Sequence, residues 1–117
     1  MNYVDGFVLA VPTERKEAYV EHSCVVAAMF KEYGALSVVE CWGDDIPEGE
    51  LTSFPMSVNC EADETVCFSW ISWLSKEVRD EAMKLVIDDP RMAPENTTVP
   101  FDGKRMIFGG FEVIVNK

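Results

Sequence analysis

VDGFVLAVPTERKEAYVEHSCVVAAMFKEYGALSVVECW, residues 4–42, passes from strand-like alternation to helical spacing and back again. Val4–Val11 alternates in the manner of a strand, Glu14–Tyr33 carries apolar residues at three- and four-residue steps, and Leu36–Trp42 returns to a strand. The second half repeats the plan, with a strand over Val66–Trp73, a helix over Lys76–Asp88 and a strand over Ile107–Val115. This duplicated β-α-β unit predicts four strands in one sheet with two helices packed on it.

Local chemistry supports each boundary. Thr13 can accept from the free backbone donors at the start of the first helix, Pro12 stiffens the approach, and Glu14 and Glu17 suit the positive end of the dipole. Gly34 closes it. Ala18, Tyr19, His22, Val25, Val26, Met29, Phe30 and Tyr33 make one apolar stripe, and Arg15, Lys16, Glu21, Lys31 and Glu32 face water. In the second helix Ser75 is the expected cap, Val78, Ala82, Leu85 and Val86 the stripe, and Asp89-Pro90 the stop. Gly43–Thr65 opens as a turn-rich loop. Within it Phe54, Met56, Val58 and Cys60 alternate with Pro55, Ser57 and Asn59, which predicts an accessory edge strand. Pro90–Arg105 reads as an ordered surface loop.

A chain of 117 residues, 48% hydrophobic and 26% charged, fits a single domain over 1–117 and does not resemble a disordered or membrane-spanning protein. Its net charge of −11, with scattered cations, disfavours nucleic acid and favours solubility. No apolar run is long enough to cross a bilayer, and Met1–Val11 does not have the form of a secretory signal, so a cytoplasmic location is expected. Cys24, Cys41, Cys60 and Cys67 have no C-x-x-C spacing and are expected as free thiols. Asn96-Thr97-Thr98 has the form of a glycosylation acceptor and should stay unmodified in that compartment.

Strand parity divides the sheet into two faces. Val4, Gly6, Val8 and Ala10, with Val39, Cys41, Ile107, Gly109, Phe111, Val113 and Val115, form an uncharged set suited to lie under the helices. Tyr3, Asp5, Phe7, Leu9 and Val11, with Leu36, Val38, Glu40, Trp42, Met106, Phe108, Gly110, Glu112 and Ile114, form an aromatic set interrupted by three carboxylates. Two helices cover one side of a sheet, so the second set is expected against another copy of the chain, in a homodimer enclosing a barrel-like interior. Parity leaves open whether Phe68 and Trp70 or Ser69 and Ile71 face that interior, and bulk favours the former.

The candidate ligand pocket on this reading comprises Asp5, Glu40, Trp42, Trp70, Phe108 and Glu112. Clustered carboxylates raise one another's pKa, a mark of proton-transfer sites. The competing reading gives them hydrogen bonds from Tyr3, Trp42, Trp70 or backbone donors, or pairs them across the dimer with Arg91, Lys104 or Arg105. Magnesium could be held by carboxylates, but no ligand spacing demands it, so no metal is assigned. His22, the single histidine, has no visible orienting partner and is expected as a core or interface residue. Cys41 is expected to be buried and unreactive. No nucleotide-binding glycine motif is present; Gly109-Gly110 falls inside a strand, and no cofactor is assigned.

Tyr3-Val4-Asp5-Gly6-Phe7, Glu40-Cys41-Trp42-Gly43-Asp44-Asp45-Ile46-Pro47, Phe68-Ser69-Trp70, Asp89-Pro90-Arg91-Met92 and the run Pro100–Glu112 resemble the YbaA-like family of small bacterial proteins. The resemblance spans nearly the whole chain. It implies an α+β, ferredoxin-like protomer with an antiparallel sheet, assembled as a dimeric α/β barrel, in a family without an assigned function. The wider superfamily includes cofactor-independent monooxygenases, muconolactone-isomerase-like enzymes and haem-dependent members, so it does not fix the chemistry; for haem this chain offers only His22. Two readings follow. One is a homodimer binding a small organic molecule in an aromatic, acid-lined pocket, with proton-transfer or cofactor-independent oxygenase-like chemistry; the other is a noncatalytic dimeric interaction module.

Overall fold

The structure, a computed structural model, describes residues 1–96 and 98–117. Thr97 of the Asn96-Thr97-Thr98 triplet lies outside the described residues. The chain forms β1 (Tyr3–Pro12), α1 (Lys16–Glu32), β2 (Ser37–Trp42), α2 (Phe54–Ser57), β3 (Glu64–Trp73), α3 (Lys76–Ile87) and β4 (Ile107–Glu112). The strands make one open antiparallel sheet in the order β2-β3-β1-β4. β1 is its spine, paired with β3 from Tyr3↔Trp73 to Pro12↔Glu64 and with β4 from Tyr3↔Glu112 to Val8↔Ile107.

The helix ends follow local chemistry with one exception. Ser75 Oγ accepts from the Val78 N–H at 3.2 Å and caps α3. Gly34 takes a φ of +115° just past α1, a conformation that costs a glycine little. Thr13, however, does not cap α1: it begins a turn of 3-10 helix over Thr13–Arg15, and its hydroxyl meets that of Thr65 at 2.8 Å. The segment expected as an edge strand is also different. Ser53 caps the short helix α2, and Val58 and Cys60 fold back over Val8, Ala10 and Val66. Val58 is buried, at 1% exposure.

The two faces of the sheet are the reverse of the sequence expectation. Met29 and Phe30 of α1 and Ala82 and Val86 of α3 form a core with Ile71 and Trp73, joined by Tyr3, Phe7 and Val38. The helices therefore cover the set that contains Asp5 and Glu40, and the uncharged set lies on the open face. In β3, where bulk favoured Phe68 and Trp70 on the side of the carboxylates, register pairs them with Val8 and Gly6 and puts Ser69 and Ile71 there instead; in the other strands parity was read correctly, but charge was taken to exclude helix cover. That inference fails because each helix brings a donor for the carboxylate beneath it: Arg79 of α3 for Asp5, and Tyr19 of α1 for Glu40. The small residues of the other set would leave the space beneath α1 and α3 unfilled, whereas Phe7, Leu9, Ile71 and Trp73 fill it.

Asp5 is the polar centre of this core. It is 3% exposed, its two oxygens share the Arg79 Nε–H at 3.2 and 3.1 Å, and it accepts from Arg79 Nη2 at 2.8 Å and from Trp73 Nε1 at 2.9 Å. The Arg79 guanidinium lies 5.2 Å from the centre of the Tyr3 ring, and both rest on β4 at Gly110. A Cβ at Gly110 would sit 2.8 Å from Arg79 Nη2, so the stack requires glycine there.

Removing one partner of a buried ion pair strands the other. Asp5→Ala is therefore predicted to lower the free energy of unfolding in urea by about 3–5 kcal/mol, whereas breaking the exposed Lys76–Asp80 pair with Lys76→Ala should leave the midpoint close to wild type. Equal midpoints for the two variants would show that Asp5 does not anchor α3.

Candidate functional site

Between the helical layer and the sheet lies a cavity of about 290 Å³. Its floor is built from all four strands: Phe7 and Leu9, Val38 and Glu40, Ser69 and Ile71, and Phe108 with the preceding Met106. α1 supplies Tyr19, His22, Ser23, Val26 and Phe30, which stand on one face because they recur at helical spacing. Met83 of α3 and Met92 and Phe101 of the segment after it complete the wall. The lining is almost wholly apolar, with few convergent polar groups, as ligand pockets generally are.

The segment from Pro90 to Arg105 reaches this wall because it is tied down at both ends. At the first, Asp89 accepts from the Arg91 backbone N–H at 2.8 Å, from Arg91 Nη2 at 2.8 Å and from the Tyr33 hydroxyl at 2.6 Å. Arg91 and Tyr33 hold the Asp89 carboxyl well below the usual range. At the second, Arg105 grips both Glu64 oxygens, at 2.7 and 2.6 Å, and reaches Asp102 at 3.0 Å. Between these ties Phe101 sets its ring edge-on to Tyr19 and His22, with centroids 5.9 and 6.1 Å away.

The polar focus is Glu40. Its Oε2 accepts from the Tyr19 hydroxyl at 2.5 Å, and Ser69 also hydrogen-bonds to it. Burial raises the Glu40 pKa above the ordinary carboxylate range, and the two hydroxyls oppose that rise by stabilising the anion. Burial also raises Tyr19, with the Glu40 charge adding to it, so the phenol stays protonated. Glu40 is exposed on its other side, where Lys16, Val20, Cys24 and Trp42 border an outer groove. It thus stands between the interior and solvent. His22 is half-buried, and burial lowers its pKa, which favours the neutral imidazole at neutral pH. It also borders a larger open depression of about 510 Å³ on the outer surface, beside Arg15, Glu21 and Arg91.

Of the residues the sequence proposed together, Glu40 and Phe108 line this cavity. Asp5 is paired with Arg79; it lies opposite Ile71, which lies opposite Val38, two residues short of Glu40 and two strands away. Trp42 lies at the outer end of β2, with Lys16 Nζ 5.3 Å from its ring centre. Trp70 is on the open face, 5.7 Å from Phe68. Glu112 is exposed at the end of β4, opposite Tyr3. Within the chain, therefore, Asp5, Glu40 and Glu112 do not converge. The sequence reading missed Tyr19, Ser69, Met83 and Phe101. A tyrosine and a histidine one turn apart on an otherwise apolar stripe were the available signal.

Cys24 is exposed, Cys41 and Cys60 are partly buried, and Cys67 is buried. All four are free thiols, and burial pushes Cys67 up to about 12. Among the described residues no group of three or more His, Cys, Asp or Glu side chains could hold a metal ion, and no helix is long and apolar enough to cross a membrane.

Comparison with known proteins adds a family to this geometry. Residues 2–103 match a family model described as "Protein of unknown function (DUF1428)". "Uncharacterized protein YbaA" of Escherichia coli strain K12 is 54% identical over 117 residues, covering 100% of both chains, and the protein of that name from Shigella flexneri matches equally. The resemblance carried by the sequence motifs is thereby confirmed, and the chain belongs to the YbaA-like, DUF1428 family of proteins of unknown function.

Proposed function

We propose that this protein binds a small, largely apolar organic molecule in the cavity between α1 and the sheet. The observation that carries the reading is the pairing of an apolar space of about 290 Å³ with one polar focus, the Tyr19–Glu40 hydrogen bond at 2.5 Å. A core with no ligand to accommodate would gain stability by closing such a space. A carboxylate with a raised pKa beside an apolar cavity is also equipped to take a proton from a bound molecule without a cofactor. Tyr19 and Ser69 would stabilise the anion before the transfer. The free thiols suit a cytoplasmic setting.

The assembly reading accompanies it. The strand order, with both β-α-β helices on one face, supports a ferredoxin-like protomer. The open face carries Val4, Val39, Phe68, Trp70, Ile107 and Phe111 and no charged residue at its central positions. Ile107 is 46% exposed and Phe111 61%, and the α2 segment covers only the corner near Val8 and Ala10. A second copy is the occupant that suits this uncharged, self-complementary surface, and two sheets packed face to face would make the barrel. Its interior would be lined by this set and not by the carboxylates.

Two measurements test these readings. Uncharged 1-naphthylmethanol is expected to bind the wild-type chain saturably and raise its melting temperature, and Met83→Trp, which fills the cavity from α3, should stay folded and lose that response. An unchanged response in the variant, or none in the wild type, would refute the pocket. In sedimentation at low micromolar concentration the wild type should travel at twice the 13.2 kDa chain mass, and the double variant Ile107→Asp with Phe111→Asp as a folded single chain. A wild type that sediments as one chain would refute the dimer.

A further inference from the structure

Among the described residues the side chains of Asp5, Asp89 and Glu64 are packed away from solvent, at 5%, 5% and 6% exposure. Each is held by an arginine, Arg79 at 2.8 Å, Arg91 at 2.8 Å and Arg105 at 2.6 Å respectively. An ionised carboxylate removed from water needs such a counter-charge, because hydrogen bonds alone do not replace its lost hydration.

Glu40, which is exposed toward the outer groove, is held without an arginine. Among the described residues it is the only acidic one bordering the cavity, and no lysine or arginine borders it. Among the described residues Glu40 makes no salt bridge; what holds it are the hydroxyls of Tyr19 and Ser69. The nearest lysine on the outer groove, Lys16, is laid over the Trp42 ring. His22 is biased toward its neutral form by burial. The inner wall therefore presents a negative acceptor without a positive partner.

The remaining surroundings suit a cation with a greasy body. Phe7, Phe30, Phe101 and Phe108 border the same space, and aromatic faces attract positive charge. Met83, Met92 and Met106 supply flexible, polarisable walls that adapt to irregular shapes. A net charge of −11 concentrates cations around the chain and repels carboxylates and phosphates, which would also find no cationic group inside.

We propose that the ligand of this cavity is a small hydrophobic organic cation, an amine carried as its ammonium on an aromatic or aliphatic body, whose head pairs with Glu40 in the place arginine takes at Asp5, Glu64 and Asp89. This rests on the pocket reading above and adds the sign and chemical class of the occupant. The ammonium donates to the Glu40 oxygens, and the apolar body lies between the α1 side chains and the strands.

Three probes with one naphthyl body separate the possibilities: 1-naphthylmethylamine, 1-naphthylmethanol and 1-naphthoate, titrated calorimetrically into the full-length chain at pH 7 and low salt. The amine is expected to bind at least about tenfold more tightly than the alcohol, with no binding of the carboxylate. Glu40→Gln should abolish the amine's advantage over the alcohol, while Glu40→Asp keeps the amine preference. The ranking on the wild type decides the matter even if a variant does not fold. Should the alcohol match the amine, or the naphthoate bind, the cation assignment falls and the pocket stands. If none of the three saturates, the pocket reading falls, and this one with it.

Discussion

The ion pair between Asp5 and Arg79 is the constraint around which the rest of the molecule is arranged. It fixes α3 across the centre of the sheet, and it does so from the helix-covered side, where Trp73 Nε1 takes a further place on the same carboxylate. Once α3 is held there, α1 must lie beside it, with Met29 and Phe30 closing the core against Ile71 and Trp73. The cavity is the space left over where α1 runs on past α3 toward its own N-terminus. There Tyr19 and His22 replace the purely apolar residues found further along the helix. A charged residue in β1 thus decides which face of the sheet is inside, and only through its partner on a distant helix.

The same device recurs at the edges. Asp89 with Arg91, and Glu64 with Arg105, fasten the two ends of a segment that has no regular structure beyond short turns, and this is why Phe101 can serve as a wall of the cavity. Loops of that length are commonly mobile unless tied. Here the ties are charge-assisted and bidentate, which sets the geometry of the side chains between them. Glu40, exposed on one side, is held by the hydroxyls of Tyr19 and Ser69 and makes no salt bridge among the described residues.

Much of this architecture was legible in the residues. The duplicated β-α-β plan, the Ser75 cap and the Gly34 stop are local signals, and the structure reproduces them within a residue or two, except that β4 ends at Glu112, three residues short of the expected Val115. Three features were not legible for physical reasons. Phe54–Cys60 alternates as a strand would, but Ser53 followed by Phe54-Pro55 is also the opening of a helix, and capping prevailed over alternation in so short a run. The choice of face turned on Arg79 and Tyr19, whose relation to Asp5 and Glu40 is long-range and leaves no periodic trace. Only part of the candidate site was recovered. Glu40 and Phe108 could be picked out as an acid and an aromatic on one strand face, but the cavity is completed by Met83 and Phe101 from segments that reach it only after the chain has folded.

Gly110 has a consequence for how the molecule comes apart. Since nothing projects from that position, the Tyr3 ring and the Arg79 guanidinium rest directly on the backbone of the outermost strand. β4 is an edge strand joined to its neighbour over a register of only six residues, as β2 is at the other edge, so the sheet can begin to peel there. Peeling there would wet the guanidinium that anchors α3, so fraying of the last strand and loosening of α3 would form one cooperative event, although they belong to opposite sides of the loop that separates them.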